Sequence, residues 1–306
     1  MPALQLILLP AEKRRMVEQI RDGLRRVPHI QAIVLGGSHA SGLARLDSDL
    51  DIGVYYREGC PVSVDEVRAF AEGIARPETR PVVTGFYEWG PWVNGGAWIQ
   101  TPVGKVDLLY RNLDQVETTL AEGQRGVWRH DYDQQPPYGF RSVIYFGETE
   151  ACVPLHDPHG QIARLKEAIR TYPERLKARI VQGSLWGAEF SLLHARQFAE
   201  RADVYGAAGC LARVAQYLIQ ALFALNERYF LSDKDAARVV EGLPLHPPHF
   251  QSRLAGVLTR AGADASELHA SVIRMREIWR DTVELTNGTY RSRFEWERSA
   301  RGDALG

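Results

Sequence analysis

The spacing of apolar residues divides the chain into a mixed first half and a helical second half. Apolar residues recur at helical spacing over residues 11–28 and 64–75, whereas apolar runs at 30–35 and 50–56 have the length of strands. A break containing proline and glycine at residues 102–104 joins two further runs into a predicted β-hairpin. The first half therefore predicts a mixed sheet with flanking helices.

Helical periodicity dominates from about residue 157 to residue 292. The predicted helices cover residues 161–171, 174–201, 204–229 and 267–285. Asp157 followed by Pro158 predicts a helix start with the aspartate as N-cap. The fold class is therefore α+β, with a mixed-sheet domain over residues 1–152 and a helical domain over 153–306. Residues 125–150 are aromatic-rich, contain Pro136-Pro137 and give no element prediction.

The amino-acid composition of the chain argues against several classes of function. Of 306 residues, 45% are apolar and 25% charged, and the net charge is −1 from 37 basic and 38 acidic residues. This balance argues against extended nucleic-acid binding, which needs a basic excess. The three cysteines lack CxxC spacing, which argues against a zinc site and favours a cytoplasmic protein. No signal peptide and no apolar run of about 20 residues is evident, so no membrane partner is expected.

A glycine-serine turn and two aspartates carry the candidate chemistry. Gly36, Gly37 and Ser38 follow the first strand, and their small side chains allow a phosphate to approach the backbone. Asp49 and Asp51 then lie one residue apart, so in a strand both side chains point to the same face. Two such carboxylates repel unless a cation lies between them, and carboxylate oxygens suit Mg²⁺ or Mn²⁺.

Asp107 is the candidate for a third carboxylate. Phosphoryl chemistry commonly uses two metal ions, and a third carboxylate then bridges one ion and contacts the nucleophile. Asp107 stands alone in a predicted strand between Val106 and Leu108, where an aspartate is unfavourable unless something compensates for its charge. The alternative is a surface residue on an edge strand or a salt bridge with Lys105.

The segment GGSHASGLARLDSDLDIGVYY, which starts at Gly36, resembles the signature of the DNA polymerase β-like nucleotidyltransferase superfamily. It is most similar to small-molecule nucleotidyltransferases of the aminoglycoside and lincosamide type and to related bacterial proteins. The resemblance implies a mixed-sheet catalytic domain with Asp49, Asp51 and Asp107, and a helical bundle that closes over nucleotide and acceptor. It also implies that Lys234, after the Asn-x-x-Tyr-Phe stretch, contacts the triphosphate.

Together these features predict a Mg²⁺-dependent nucleotidyltransferase that moves AMP from ATP to a hydroxyl of a small molecule and releases pyrophosphate. Two Mg²⁺ ions are expected, with Mn²⁺ as a substitute. The predicted ligands of the nucleotide are Gly36, Gly37, Ser38 and Lys234. The predicted catalytic and metal-binding residues are Asp49, Asp51 and Asp107.

Several alternatives stay open. The chain could instead transfer AMP to a protein partner, as antitoxin-like nucleotidyltransferases do, or bind a nucleotide as a regulator without turnover. The general base could be Asp107, Glu88, Glu189 or Asp203. Three tryptophans near the hairpin could stack on a base or sugar, or could pack in the core; they are Trp89, Trp92 and Trp98.

Overall fold

The computed structural model describes residues 9–42, 44–45 and 47–294. The strands in chain order are β1 (Ala32–Leu35), β2 (Leu50–Tyr56), β3 (Val82–Val83), β4 (Gly96–Thr101), β5 (Gly104–Asn112), β6 (His130–Asp131), β7 (Phe140–Arg141) and β8 (Val153–His156). Six of them form a sheet in the order β3-β4-β5-β2-β1-β8, and β6 pairs with β7. The β2–β5 pair is parallel and its neighbours are antiparallel, so the predicted mixed sheet is confirmed.

Eleven helices accompany these strands in the described ranges. They are α1 (Ala11–Leu24), α2 (Gly37–Ser41), α3 (Val64–Ile74), α4 (Leu113–Gln124), α5 (Val143–Ala151), α6 (Gln161–Ala168), α7 (Glu174–Glu200), α8 (Val204–Leu225), α9 (Ala236–Glu241), α10 (Phe250–Thr259) and α11 (Ala265–Glu284). The mixed sheet lies in the N-terminal part and the long helices follow it. The predicted α+β class is therefore confirmed.

The chain forms two compact units. One comprises residues 1–176 and Tyr229–Leu231, and the other comprises residues 177–228 and 232–306. The first unit extends past residue 152, where the sequence suggested a division, because β8 pairs with β1 in the sheet. The Tyr229 ring stacks on Tyr172 at 4.6 Å, so this short segment adds to the first unit.

One face of the sheet carries the apolar core of the first unit. Residues that alternate along β2 and β5, such as Ile52, Val106 and Leu108, are fully buried on that face together with side chains of α1 and α3. This alternation follows from the two-residue period of a strand. The opposite face therefore receives the intervening residues, which include Asp51 and Asp107.

One expectation about a helix start needs correction. Helix α6 starts at Gln161 with Gly160 as N-cap, not at Asp157, although the Asp157 carboxylate accepts hydrogen bonds from the Gln161 and Ala163 N–H groups.

Helix α8 is long and apolar enough to cross a membrane by length and composition alone, although Arg213, Gln216 and Gln220 interrupt its apolar residues. Because 61% of its most apolar window is buried, the helix also has the properties of a core helix.

Candidate active site

Asp51 and Asp107 lie side by side on the open face of the sheet. They are register partners in the parallel β2–β5 pair, and their strands are about 4.8 Å apart, so the two carboxylates project in the same direction. Asp49 precedes β2 by one residue, and its Oδ2 lies 3.7 Å from the Nζ of Lys105. Asp107 lies on a central strand, so the edge-strand alternative does not describe it. The fold thus brings the three predicted aspartates to one region of the sheet.

Lys105 supplies the positive charge among these carboxylates. Its Nζ lies 2.8 Å from Asp107 Oδ2 and 3.7 Å from Asp49 Oδ2. Partial burial lowers the pKa of Lys105, but the Asp107 hydrogen bond and the charges of Asp107, Asp49 and Asp51 outweigh it, so that the pKa is raised. All three carboxylates therefore act on one ammonium group. The salt-bridge alternative for Asp107 is present in the structure.

The glycine turn is built around Asp51. The Gly36 N–H donates to the Asp51 backbone oxygen at 2.8 Å, which fixes the turn to β2. Gly37 has φ +57°, and a Cβ at this position would lie 1.7 Å from Asp51 Oδ2. A side chain at residue 37 would thus displace the carboxylate, so the sequence needs glycine there. Ser38 follows in the single turn of α2.

The carboxylate oxygens around Lys105 are chemically suited to bind a divalent cation. Carboxylate oxygens are the ligands that Mg²⁺ and Mn²⁺ prefer, and three negative charges exceed what one lysine balances. The present arrangement is nevertheless that of a lysine site: among the described residues, no group of three His, Cys, Asp or Glu side chains is placed to hold a metal ion. A divalent ion bound by these aspartates would compete with the Lys105 ammonium for Asp107 Oδ2.

The alternative general bases all have structural roles. Glu189 is fully buried and accepts hydrogen bonds from the Tyr290 hydroxyl at 2.6 Å and from the Ser292 hydroxyl. Asp203 caps α8 through the Gly206 N–H, and Glu88 accepts from the Gly85 N–H at 2.6 Å. Among the four candidates, Asp107 is the one beside the other predicted catalytic aspartates.

Lys234 belongs to the other compact unit. Its side chain is exposed, and its backbone N–H donates to the Ser232 hydroxyl at 2.9 Å. Its contact with a triphosphate stays a prediction that rests on the resemblance.

The tryptophans near the hairpin separate into two groups. Trp92 packs on Phe140 at 5.0 Å, and its backbone oxygen accepts from the Tyr145 hydroxyl. Trp98 is 46% exposed and stacks on Trp89 with ring centroids 4.7 Å apart. Trp92 therefore packs against neighbouring aromatic side chains, as one of the two alternatives predicted. The ring of Trp98 is instead partly exposed to solvent.

Comparison with known proteins decides the class of the domain. Residues 17–79, which contain the glycine turn, Asp49 and Asp51, match the nucleotidyltransferase domain family. The chain carries a nucleotidyltransferase domain. This match confirms the resemblance to the DNA polymerase β-like superfamily and the predicted enzyme class. Residues 147–234 match a second family, described as a domain of unknown function, DUF4037.

Two solved structures are similar to this nucleotidyltransferase over most of its length. A nucleotidyltransferase-like protein from Exiguobacterium sibiricum is 10% identical, with 90% of this chain and 78% of that chain covered and a TM-score of 0.46. An aminoglycoside 6-adenyltransferase from Bacillus subtilis is 13% identical, with 92% of each chain covered and a TM-score of 0.34. At these values neither structure supports a conclusion about substrate. No curated protein matches the chain.

Proposed function

We propose that this nucleotidyltransferase moves a nucleoside monophosphate, AMP from ATP in the first instance, to a hydroxyl group of a small molecule and releases pyrophosphate. The observation that carries the proposal is the convergence of Asp49, Asp51 and Asp107 on one cation beside the Gly36-Gly37 turn. Nucleotidyl transfer needs this combination of a phosphate-binding turn and concentrated negative charge that can hold metal ions.

Each residue has a role in the proposal. The turn formed by Gly36, Gly37 and Ser38 binds the triphosphate, and Lys234 is assigned a further phosphate contact. Asp49, Asp51 and Asp107 would hold Mg²⁺ or Mn²⁺. When bound, such ions neutralise charge on the phosphate oxygens and make the acceptor hydroxyl more acidic. Asp107 accepts the proton of the acceptor hydroxyl, since among the base candidates it is the one that lies beside Asp51 in the sheet.

Composition and cysteine usage support the remaining parts of the proposal. With 37 basic and 38 acidic residues, the chain has no charge excess that would favour a polynucleotide acceptor, so we assign a small-molecule acceptor. All three cysteines are free thiols, which fits the reducing cytoplasm that we propose as its location.

The experiment is a screen of hydroxylated metabolites and antibiotics for pyrophosphate release with each of the four NTPs and Mg²⁺. The proposal expects release with at least one pair and its loss in Asp107→Asn. Asp22→Asn, which removes an exposed carboxylate on α1, is the matched control and should leave the rate unchanged. Release that persists at the wild-type rate in Asp107→Asn would remove Asp107 from the mechanism.

A further inference from the structure

Trp98 lies in the same register row as the catalytic aspartates. Trp98 on β4 is the direct partner of Asp107 on β5, and Asp107 is the partner of Asp51 on β2. Directly opposed residues share a face of the sheet. With strands about 4.8 Å apart, Trp98 lies one strand from Asp107 and about 10 Å from Asp51. The Lys105 ammonium, 6.0 Å from the Trp98 ring, confirms that the indole and the carboxylates are on the same side.

The order of residues along this row indicates separate binding regions for the nucleotide and for the acceptor. The Gly36-Gly37 turn contacts Asp51, which is at one end of the row, whereas Trp98 lies beyond Asp107 on the other side. In-line transfer needs the attacking hydroxyl opposite the leaving pyrophosphate. If the glycine turn holds the phosphates, the acceptor therefore approaches from the side of Asp107 and Trp98.

The Trp98 ring is accessible and held in place. Its side chain is 46% exposed, an unusual exposure for a large indole, and Val82 beside it in the same row is 52% exposed. Trp89 stacks on the Trp98 ring, and the loop that carries Trp89 is tied down by Gln134, which bonds the Trp89 oxygen and the Trp92 N–H. A fixed aromatic surface of this kind binds flat ligand faces without ordering a mobile side chain.

We propose that Trp98, supported by Trp89, binds the acceptor, and that the acceptor is a hydroxylated ring compound. Its apolar C–H face packs on the indole while one hydroxyl reaches Asp107. This inference rests on the proposed function, because it assigns the second substrate of the same reaction.

The first test measures binding directly at the indole. In protein with ¹⁵N-labelled tryptophan, the Trp98 indole N–H signal is identified by its absence in Trp98→Phe. We expect this signal to shift on titration with cyclic sugars, amino sugars and inositol, and to stay unchanged with sorbitol, the acyclic control. A Trp98 signal that no ring compound moves, in an enzyme that releases pyrophosphate, would overturn the inference and leave the proposed function intact.

The second test measures the kinetic effect. Trp98→Ala should raise the KM for a ring acceptor about tenfold, leave the KM for the NTP unchanged, and be largely rescued by Trp98→Phe. Trp186→Ala removes an indole of similar exposure (39%) from the helical unit and should change neither KM. An increased KM for the NTP instead would assign Trp98 to the nucleotide. If no acceptor supports pyrophosphate release, the proposed function fails and the acceptor assignment with it.

Discussion

At the scale of single residues, the positive charge of Lys105 balances part of the negative charge of the site. Its ammonium group lies between carboxylates that would otherwise repel one another. A divalent ion that binds the same aspartates must replace this interaction. Lysine is suited to such an exchange, since its flexible stem lets the ammonium turn toward a phosphate when a metal ion takes its place.

Lys105→Met keeps the length of the side chain and removes its charge. Without divalent ions we expect a lower melting temperature than in the wild type, by about 2–4 °C for a loss of about 1 kcal/mol. Millimolar Mn²⁺ should then raise the melting temperature of the variant more than that of the wild type. Differential scanning calorimetry with and without Mn²⁺ measures both effects.

Lys177→Met is the control for this prediction. It removes a lysine that is paired with Glu227 at 2.7 Å in the helical unit, whereas Asp49, Asp51 and Asp107 belong to the other unit. Its response to Mn²⁺ should equal that of the wild type. An equal response in Lys105→Met as well would show that Lys105 and the ion do not share the aspartates.

Gly37→Ala tests the contact between the turn and Asp51. The new Cβ would overlap the Asp51 carboxylate, so we expect nucleotidyl transfer to fall on the order of 100-fold through displacement of that group. Gly42→Ala has the same kind of backbone strain, with φ +76°, but its Cβ would meet nothing within 4 Å. Steady-state kinetics should therefore show near-wild-type activity for Gly42→Ala, and equal losses in both variants would assign the effect to backbone strain alone.

The sequence identifies candidate residues of the site but not the residues with which they pair across the sheet. The DxD spacing predicts Asp49 and Asp51 on one face because the period of a strand is two, and the charges of both carboxylates act on the Lys105 ammonium. The pairing of Asp107 with Asp51 and with Trp98 depends on strand order and register, which no local pattern encodes. Lys105 carried a local signal, since it precedes Asp107 by two residues and so shares its face.

At the scale of elements, strand β5 carries residues of the candidate site at its start and one partner of a buried ion pair near its end. Lys105 and Asp107 at its start are partly exposed, whereas Arg111 near its end is 4% exposed and bonded to Glu148 of α5 through two hydrogen bonds of 2.6 and 2.8 Å. Helix α5 therefore covers this end of the sheet face.

Glu148→Gln leaves the buried Arg111 charge without its ionic partner. We expect the free energy of unfolding to fall by about 3 kcal/mol, because a buried guanidinium without a counter-ion is costly. The exposed pair of Arg129 and Glu122 has the same two-bond geometry, so Glu122→Gln should cost less than about 1 kcal/mol. Urea unfolding compares the two variants, and similar losses would mean that burial adds nothing to the Arg111 pair.

Apolar runs of strand length could be predicted from the sequence even where both faces are buried, whereas a helix buried on most sides could not. The predicted strand over 50–56 matches β2 in full, and α3 and α7 end within one residue of prediction. Helix α5 was missed because its residues Val143, Ile144, Tyr145 and Phe146 are all buried, so no polar stripe reveals the helical period. Helix α8 ends at Leu225, four residues early, where the Asn226 amide bonds instead to Leu222 and Leu245.

At the scale of the whole molecule, overall charge bears on the acceptor. With a net charge of −1 the protein lacks the basic excess that extended nucleic-acid binding needs, which supports the proposed small-molecule acceptor. Transfer to a protein would instead require a larger docking surface around Asp107.

Incubation of the enzyme and α-labelled ATP with a cell extract distinguishes these acceptors. We expect label in the low-molecular-mass fraction, and no labelled protein band or oligonucleotide. Asp49→Asn should abolish the labelled compound, which controls for other transferases in the extract. A discrete labelled protein that disappears with Asp49→Asn would favour protein modification.

In the proposed reaction, Asp51 and its neighbouring aspartates catalyse attack at the α-phosphate of an NTP. Parallel reactions with α- and γ-labelled ATP and an active acceptor measure where the bond breaks. We expect α-label on the acceptor, γ-label in pyrophosphate, and a loss of at least about 100-fold in Asp51→Asn. Release of γ-label as inorganic phosphate, or undiminished transfer by Asp51→Asn, would contradict it.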